Sequence, residues 1–107
     1  MNATVDDYYR STVARAYYAT YCRVTHELIA IGEKMPQQRE GPTHHKLRGM
    51  VEFNLRHLPL ALRLALSRMI GRLYTLRVSA DYKPSAQIDA RDAREAIAIM
   101  NKVFTAF

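Results

Sequence analysis

Arg77, Asp81 and Tyr82 close the stretch ALSRMIGRLYTLRVSADY, which runs from Ala65 to Tyr82, and their types and spacing suit them to chemistry. A guanidinium keeps its proton and presents a planar fork of N–H donors, so Arg77 can hold a phosphate or stabilise charge developing on one. Asp81 follows one helical turn later, where it can orient the guanidinium or simply pair with it. Tyr82 adds a phenol whose ordinary pKa of about 10 makes it a donor or an orienting group near neutrality and a poor base. Two readings of the trio stand side by side. It is a phosphate-handling centre, or it is an ion pair, shared with Arg15 of the first helix, that fixes how two helices cross.

Other chemistry is sparse in the sequence. His44 and His45 are adjacent, lacking the one-turn separation that converges two imidazoles on a metal, and there is no cysteine pair, phosphate-binding loop or glycine-rich dinucleotide turn, so no metal or cofactor is expected. Ser11, Ser67 and Ser79 have no histidine or glycine-elbow context to activate a nucleophile. Arg39 precedes His44 by five residues, but both belong to or adjoin a loop, and the spacing is read as chance. The single Cys22 excludes an internal disulfide, fits a reducing compartment and is expected to be core filler.

The elements that must position Arg77 are helical throughout. Leu66, Met69, Ile70, Leu73, Leu76 and Ala80 form one apolar stripe with Arg77 inside its arc, and Pro84 ends the helix. Before it, Tyr9, Val13, Tyr17, Tyr21, Val24, Leu28 and Ile31 step by three or four toward Gly32, with Thr4 and Asp7 as a capping pair. The segment from Glu33 to Pro42 reads as an exposed loop, and Thr43 as the N-cap of a helix buried through Leu47, Val51, Leu55 and Leu58. After Pro84, Asp89 caps a last helix with Asp92 in its first turn and Ala93, Ile97, Met100, Phe104 and Phe107 on its apolar side. The periodicity predicts helices over roughly 5–32, 43–57, 60–82 and 89–106. With no strand-like alternation and no internal repeat, the fold class is all-α, an antiparallel four-helix bundle in a single domain, 1–107.

Sixteen Lys and Arg against ten Asp and Glu give a net charge of +6, mostly from arginine, which favours a polyanionic partner such as nucleic acid. Arg56, Arg63, Arg68 and Arg72 crowd the middle of the chain. No apolar run approaches the length of a membrane span, and Met1 to Asp7 is acidic where a signal peptide is basic, so no membrane is expected and the protein reads as cytoplasmic. Surplus tyrosine and apolar residues on the helices of so short a chain point to a homodimer.

Taken in order, Ala14-Arg15-Ala16-Tyr17-Tyr18-Ala19, Thr43-His44-His45-Lys46, Leu76-Arg77-Val78-Ser79-Ala80-Asp81-Tyr82 and the run from Ala93 to Val103 resemble the short HEPN proteins of bacteria and archaea. That resemblance implies a helical, commonly dimeric bundle with an RNA-directed role: a toxin-type or defence-associated, metal-independent RNase-like component, often encoded beside a minimal nucleotidyltransferase or other antitoxin protein. With Arg77 as the motif arginine, Arg77, Asp81 and Tyr82 are read as the catalytic group and Arg15, His45, Lys46 and Arg72 as RNA contacts. Nuclease members carry an arginine, four to six intervening residues and then a histidine; here four residues separate Arg77 from Tyr82, which stands in the histidine's place and leaves His44 or His45 as a substitute from the second helix. The alternatives are a non-catalytic nucleic-acid or nucleotide-binding dimer, and an adaptor partnering the nucleotidyltransferase, for which Tyr82 is a possible site of modification.

Overall fold

The computed structural model describes residues 5–34 and 43–107, which form four helices and no strand: α1 (Val5–Ala30), α2 (His44–Asn54), α3 (Leu60–Tyr82) and α4 (Ala90–Ala106). The expected cap at Thr4, the residue Arg39 and most of the loop before Thr43 lie outside the described residues. Every helix packed on α3 runs antiparallel to it. Arg10 near the start of α1 reaches the end of α3, Arg48 and Glu52 of α2 meet Ser67, and Arg72 of α3 meets Glu95 of α4. The core between them is apolar, filled by Val13, Val24, Leu28, Leu47, Val51, Leu66, Leu73 and Val103, all fully buried.

Local chemistry sets the helix ends. At the end of α1, Gly32 has φ 92°, its N–H donates to Ile29 O at 3.0 Å and the N–H of Glu33 to Leu28 O at 3.0 Å. That is a Schellman cap, and the positive φ is why glycine stands there. Ile31 is therefore outside the helix and exposed, not part of its apolar stripe. Thr43 caps α2 as expected, accepting the Lys46 N–H at 3.2 Å. The helix stops at Asn54, three residues before the expected end, with Leu55 leaving helical backbone at φ −82° and ψ 58°; Pro59, four residues on, has no N–H to donate to the Leu55 carbonyl. Arg63 satisfies the carbonyls this frees, donating to Glu52 O at 2.7 Å and Leu58 O at 3.1 Å. α4 opens on a reciprocal capping box: Asp92 N donates to Asp89 Oδ1 at 3.0 Å and Asp89 N to Asp92 Oδ2 at 3.1 Å. The Asp92 backbone N–H holds the Asp89 carboxyl below its usual range.

Two expectations about the core are corrected. The buried face of α4 is Ala93, Ala96, Ile99 and Val103, while Ile97 and Phe104 are exposed. Ile99 and Val103 supply the bulk of that buried face, with the small Ala93 and Ala96 beside them. Cys22 is exposed, on the face of α1 opposite Thr20 and Val24. A polar cross-link absent from the sequence reading joins α2 to α3. Fully buried Ser67 accepts from Arg48 Nε at 3.1 Å and donates to Glu52 Oε1 at 2.7 Å. Gly71 makes room for it, since a Cβ there would lie 2.8 Å from Arg48 Nη1.

The end of α3 is fixed by one side chain of α1. Arg10 donates to the carbonyls of Ser79 at 3.2 Å, Ala80 at 2.9 Å, Lys83 at 3.2 Å and Pro84 at 3.3 Å, and to Ala86 O. Its Nε is held by Asp6 at 2.7 Å. A cation at a helix C-terminus meets both the unsatisfied carbonyls and the negative end of the dipole, so Arg10 is a tertiary C-cap for the turn that carries Asp81 and Tyr82.

Candidate nucleic-acid interface

Arg77 lies one turn before that capped end, at the edge of the α3 stripe. Its Nε donates to Asp81 Oδ2 at 3.2 Å, and both side chains are 32% exposed. The guanidinium stands 5.1 Å from the centroid of the Tyr17 ring and 5.8 Å from that of Tyr82. Tyr17 is buried and Tyr82 exposed, so the cation has an aromatic floor from α1 and an aromatic wall open to solvent. Its two Nη groups have no hydrogen-bond partner among the described residues, which leaves the bidentate edge of the fork available to an incoming anion.

The aromatic floor continues inward. Tyr17 lies 5.7 Å from Tyr74 and 6.4 Å from His44, and His44 stacks on Tyr74 with centroids 3.9 Å apart and planes 9° from parallel. Burial pushes the Tyr17 phenol up to about 12 against the opposing effect of Arg77, so the ring carries the cation without ionising. His44 is the first residue of α2, with its Nδ1 buried and unpartnered. Burial first, then the nearby charges of Arg48 and His45, lower it to about 4, so it is neutral at pH 7. A histidine depressed in the folded state takes up fewer protons than in the unfolded chain between the two pKa values. Stability is accordingly intact above the ordinary value near 6.5 and is lost as pH falls toward about 4. We expect His44→Phe, which keeps the stack and removes the proton site, to lose less melting temperature than wild type between pH 7 and pH 4.

The structure thus brings together Arg77, Asp81 and Tyr82 and joins them through Tyr17 to His44. His45 is exposed beside His44, with ring centroids 6.1 Å apart, and Lys46 is exposed one residue further along α2. Arg15 and Arg72 are placed elsewhere. Arg15 is exposed about 200° around α1 from Tyr17, and no ion pair among the described residues includes it, so the Arg77–Asp81 pair is completed by the Tyr17 ring and not by Arg15. Arg72 sits about 140° around α3 from Arg77 and forks onto Glu95 at 2.8 and 3.0 Å. Tyr74 had a signal in the sequence, lying three residues before Arg77 on the same side of the helix. Among the described residues no group of three or more His, Cys, Asp or Glu side chains is placed to hold a metal ion, and no helix is long and apolar enough to cross a membrane.

Four helices with an arginine and its aromatic surround near the end of the third define a class of helical domain, and the sequence matches the model of the HEPN domain over residues 2–107. The chain belongs to the HEPN domain family. No curated protein and no solved structure matches it.

Proposed function

We propose that this HEPN-domain protein acts on RNA, as a toxin-type or defence-associated RNase-like component centred on Arg77. The observation that carries the reading is the Arg77 guanidinium itself, tethered through Nε by Asp81, with its Nη edge unoccupied among the described residues and the exposed Tyr82 ring alongside. A fork of N–H donors beside an open aromatic face is what a phosphate and its neighbouring base require. The net charge of +6 draws such a polyanion in. For cleavage, the 2′-hydroxyl would give its proton to water as its oxygen bonds the phosphorus, and the 5′-oxygen would leave with a proton from water, forming a 2′,3′-cyclic phosphate; Arg77 would stabilise the charge developing on the phosphate, while Tyr82 donates to or orients a phosphate oxygen and His45 and Lys46 bind the backbone.

A second reading keeps the binding and omits the cleavage. It is favoured by Tyr82 at the distance from Arg77 where a neutral base is wanted, since a phenol is mostly protonated near neutrality. In that reading the protein is a nucleic-acid-binding or adaptor dimer, with a nucleotidyltransferase or other antitoxin protein as its partner. Purified protein incubated with labelled RNA in chelator separates the two. Cleavage supports the first, binding without cleavage the second, and neither binding nor cleavage removes every RNA-directed reading and leaves the adaptor. Light scattering on the same preparation is expected to give a homodimer, twice the 12.3 kDa chain; Tyr8, Tyr18, Ile97 and Phe104 leave apolar area exposed for it.

A further inference from the structure

A groove of about 330 Å³ runs between α3 and α4, away from the Arg77 site. Its floor is apolar, made by Met69 and Ile99 with Ala98 at the lip. Its two ends differ in charge. At one, Arg72 and Glu95 neutralise each other through a two-bonded fork, which holds Glu95 below the usual carboxylate range and fixes both side chains. At the other, Arg68 and Lys102 face the groove from opposite walls, and neither has an acid partner among the described residues. Because α3 and α4 are antiparallel, stepping one turn back from Arg72 and two turns on from Glu95 brings both unpaired cations to the same end. Beyond that end Leu64 and Leu60 continue the ridge of Arg68 at four-residue spacing, 38% and 57% exposed.

From this arrangement we propose that the α3–α4 groove docks an acidic amphipathic segment of a partner protein. Its carboxylates would meet Arg68 and Lys102, and its apolar side chains would lie on Met69, Ala98 and Ile99 and reach Leu64. The chemistry of the lining selects a peptide over a nucleic acid. No aromatic ring lines the groove for a base to stack on, and its neutralised end and apolar floor offer a continuous phosphate chain cations at one end only, whereas a peptide carries discrete charges with apolar groups between them. The two surfaces are independent: Arg77 can hold RNA while the groove is occupied.

The test uses the full chain, with backbone amide resonances followed as two probes are titrated. One is a synthetic amphipathic peptide with two glutamates one turn apart flanked by leucines; the other is a short single-stranded RNA. The peptide is expected to shift the amides of Met69, Ala98 and Ile99, with affinity falling about tenfold or more in an Arg68→Glu, Lys102→Glu double variant. Ala98→Phe, which fills the groove without altering charge at an exposed position, is expected to weaken it as well, and Arg77→Ala to leave it unchanged. The proposal is overturned if the peptide binds the double variant as it binds wild type, if it shifts other residues only, or if RNA is what shifts the groove amides. Loss of peptide binding in Arg77→Ala would place the peptide at the RNA site and overturn it too. Loss of RNA binding alone in that variant leaves the groove intact, so the two proposals fail separately.

Discussion

Arg10→Ala is expected to lower the unfolding free energy by about 2–4 kcal/mol, more than other single changes of a polar side chain in this protein. One guanidinium serves the carbonyls of Ser79, Ala80, Lys83, Pro84 and Ala86. It is only 15% exposed, so water reaches these groups poorly when it is present. Hydrogen bonds to a charged donor contribute about 1.5–3 kcal/mol each where water is excluded, and the total is held down here because the Lys83 and Pro84 carbonyls are in exposed surroundings that can rehydrate. The cation also meets the negative end of the α3 dipole, worth up to about 2 kcal/mol in a partly buried setting. In a domain of this size the loss corresponds to a fall in melting temperature on the order of 10 °C or more. Arg10→Lys keeps the charge and reaches fewer carbonyls, so it is expected to recover about half. Urea unfolding measures the loss, and hydrogen exchange locates it: amides near Ala80 to Tyr82 should exchange faster in Arg10→Ala while those near Leu66 do not. A loss under about 0.5 kcal/mol would mean that solvent replaces the guanidinium and that Arg10 is no cap.

That cap explains why part of the fold was legible in the sequence and part was not. Thr43, Asp89 and Gly32 act on backbone a few residues away, so their spacing in the sequence is enough to show their roles. Arg10 acts on carbonyls about seventy positions distant, and no local pattern records it. The same distinction governs the core. Leu66, Ile70, Leu73 and Leu76 are bulky and periodic, and they are buried as read. In α4 apolar residues lie on more than one side, so Ile97 and Phe104 compete with Ala96, Ile99 and Val103 for the core, and the assembled bundle buries the second set.

The site divides along similar lines. Arg77 and Asp81 are one turn apart on one helix, so their pairing follows from spacing alone. Tyr17 was placed on the inner face of the first helix by its period, but which cation its ring would meet depended on how two helices cross. Choosing between His44 and His45 was beyond the sequence, since they stand at the very start of α2 where no established periodicity fixes their direction. The structure turns His44 inward onto Tyr74 and leaves His45 exposed. An Arg77 buried in the stripe would strand a charged partner when removed, whereas the observed pair is 32% exposed on both sides and water can reach Asp81.

Arg77→Ala is therefore expected to separate function from folding cleanly. A partly exposed one-turn ion pair contributes about 0.2–1 kcal/mol and a partly exposed cation on an aromatic ring about 0.5–1 kcal/mol. Alanine returns a few tenths of a kcal/mol through its helix propensity, so the net loss of stability should be about 1 kcal/mol or less. RNA binding should suffer more. A phosphate bond to a charged donor is worth about 1.5–3 kcal/mol, which is a weakening of roughly tenfold to a hundredfold. Because the contact is to the backbone, the weakening should be similar across RNA sequences, and the slope of log affinity against log salt should become shallower by about one phosphate. Arg77→Lys keeps the charge and loses the planar fork, so it should retain much of the salt slope while recovering little of the affinity. Tyr82→Phe keeps the ring beside the guanidinium and deletes only the hydroxyl. It should leave RNA binding nearly intact and lower cleavage only if the phenol donates to or orients the reacting phosphate. Binding isotherms at several salt concentrations and melting temperatures for the three variants make the comparison. Were Arg77→Ala to bind RNA as wild type does per folded molecule, with an unchanged salt slope, Arg77 would be only a tie between helices and the phosphate site would have to be sought elsewhere on this basic surface.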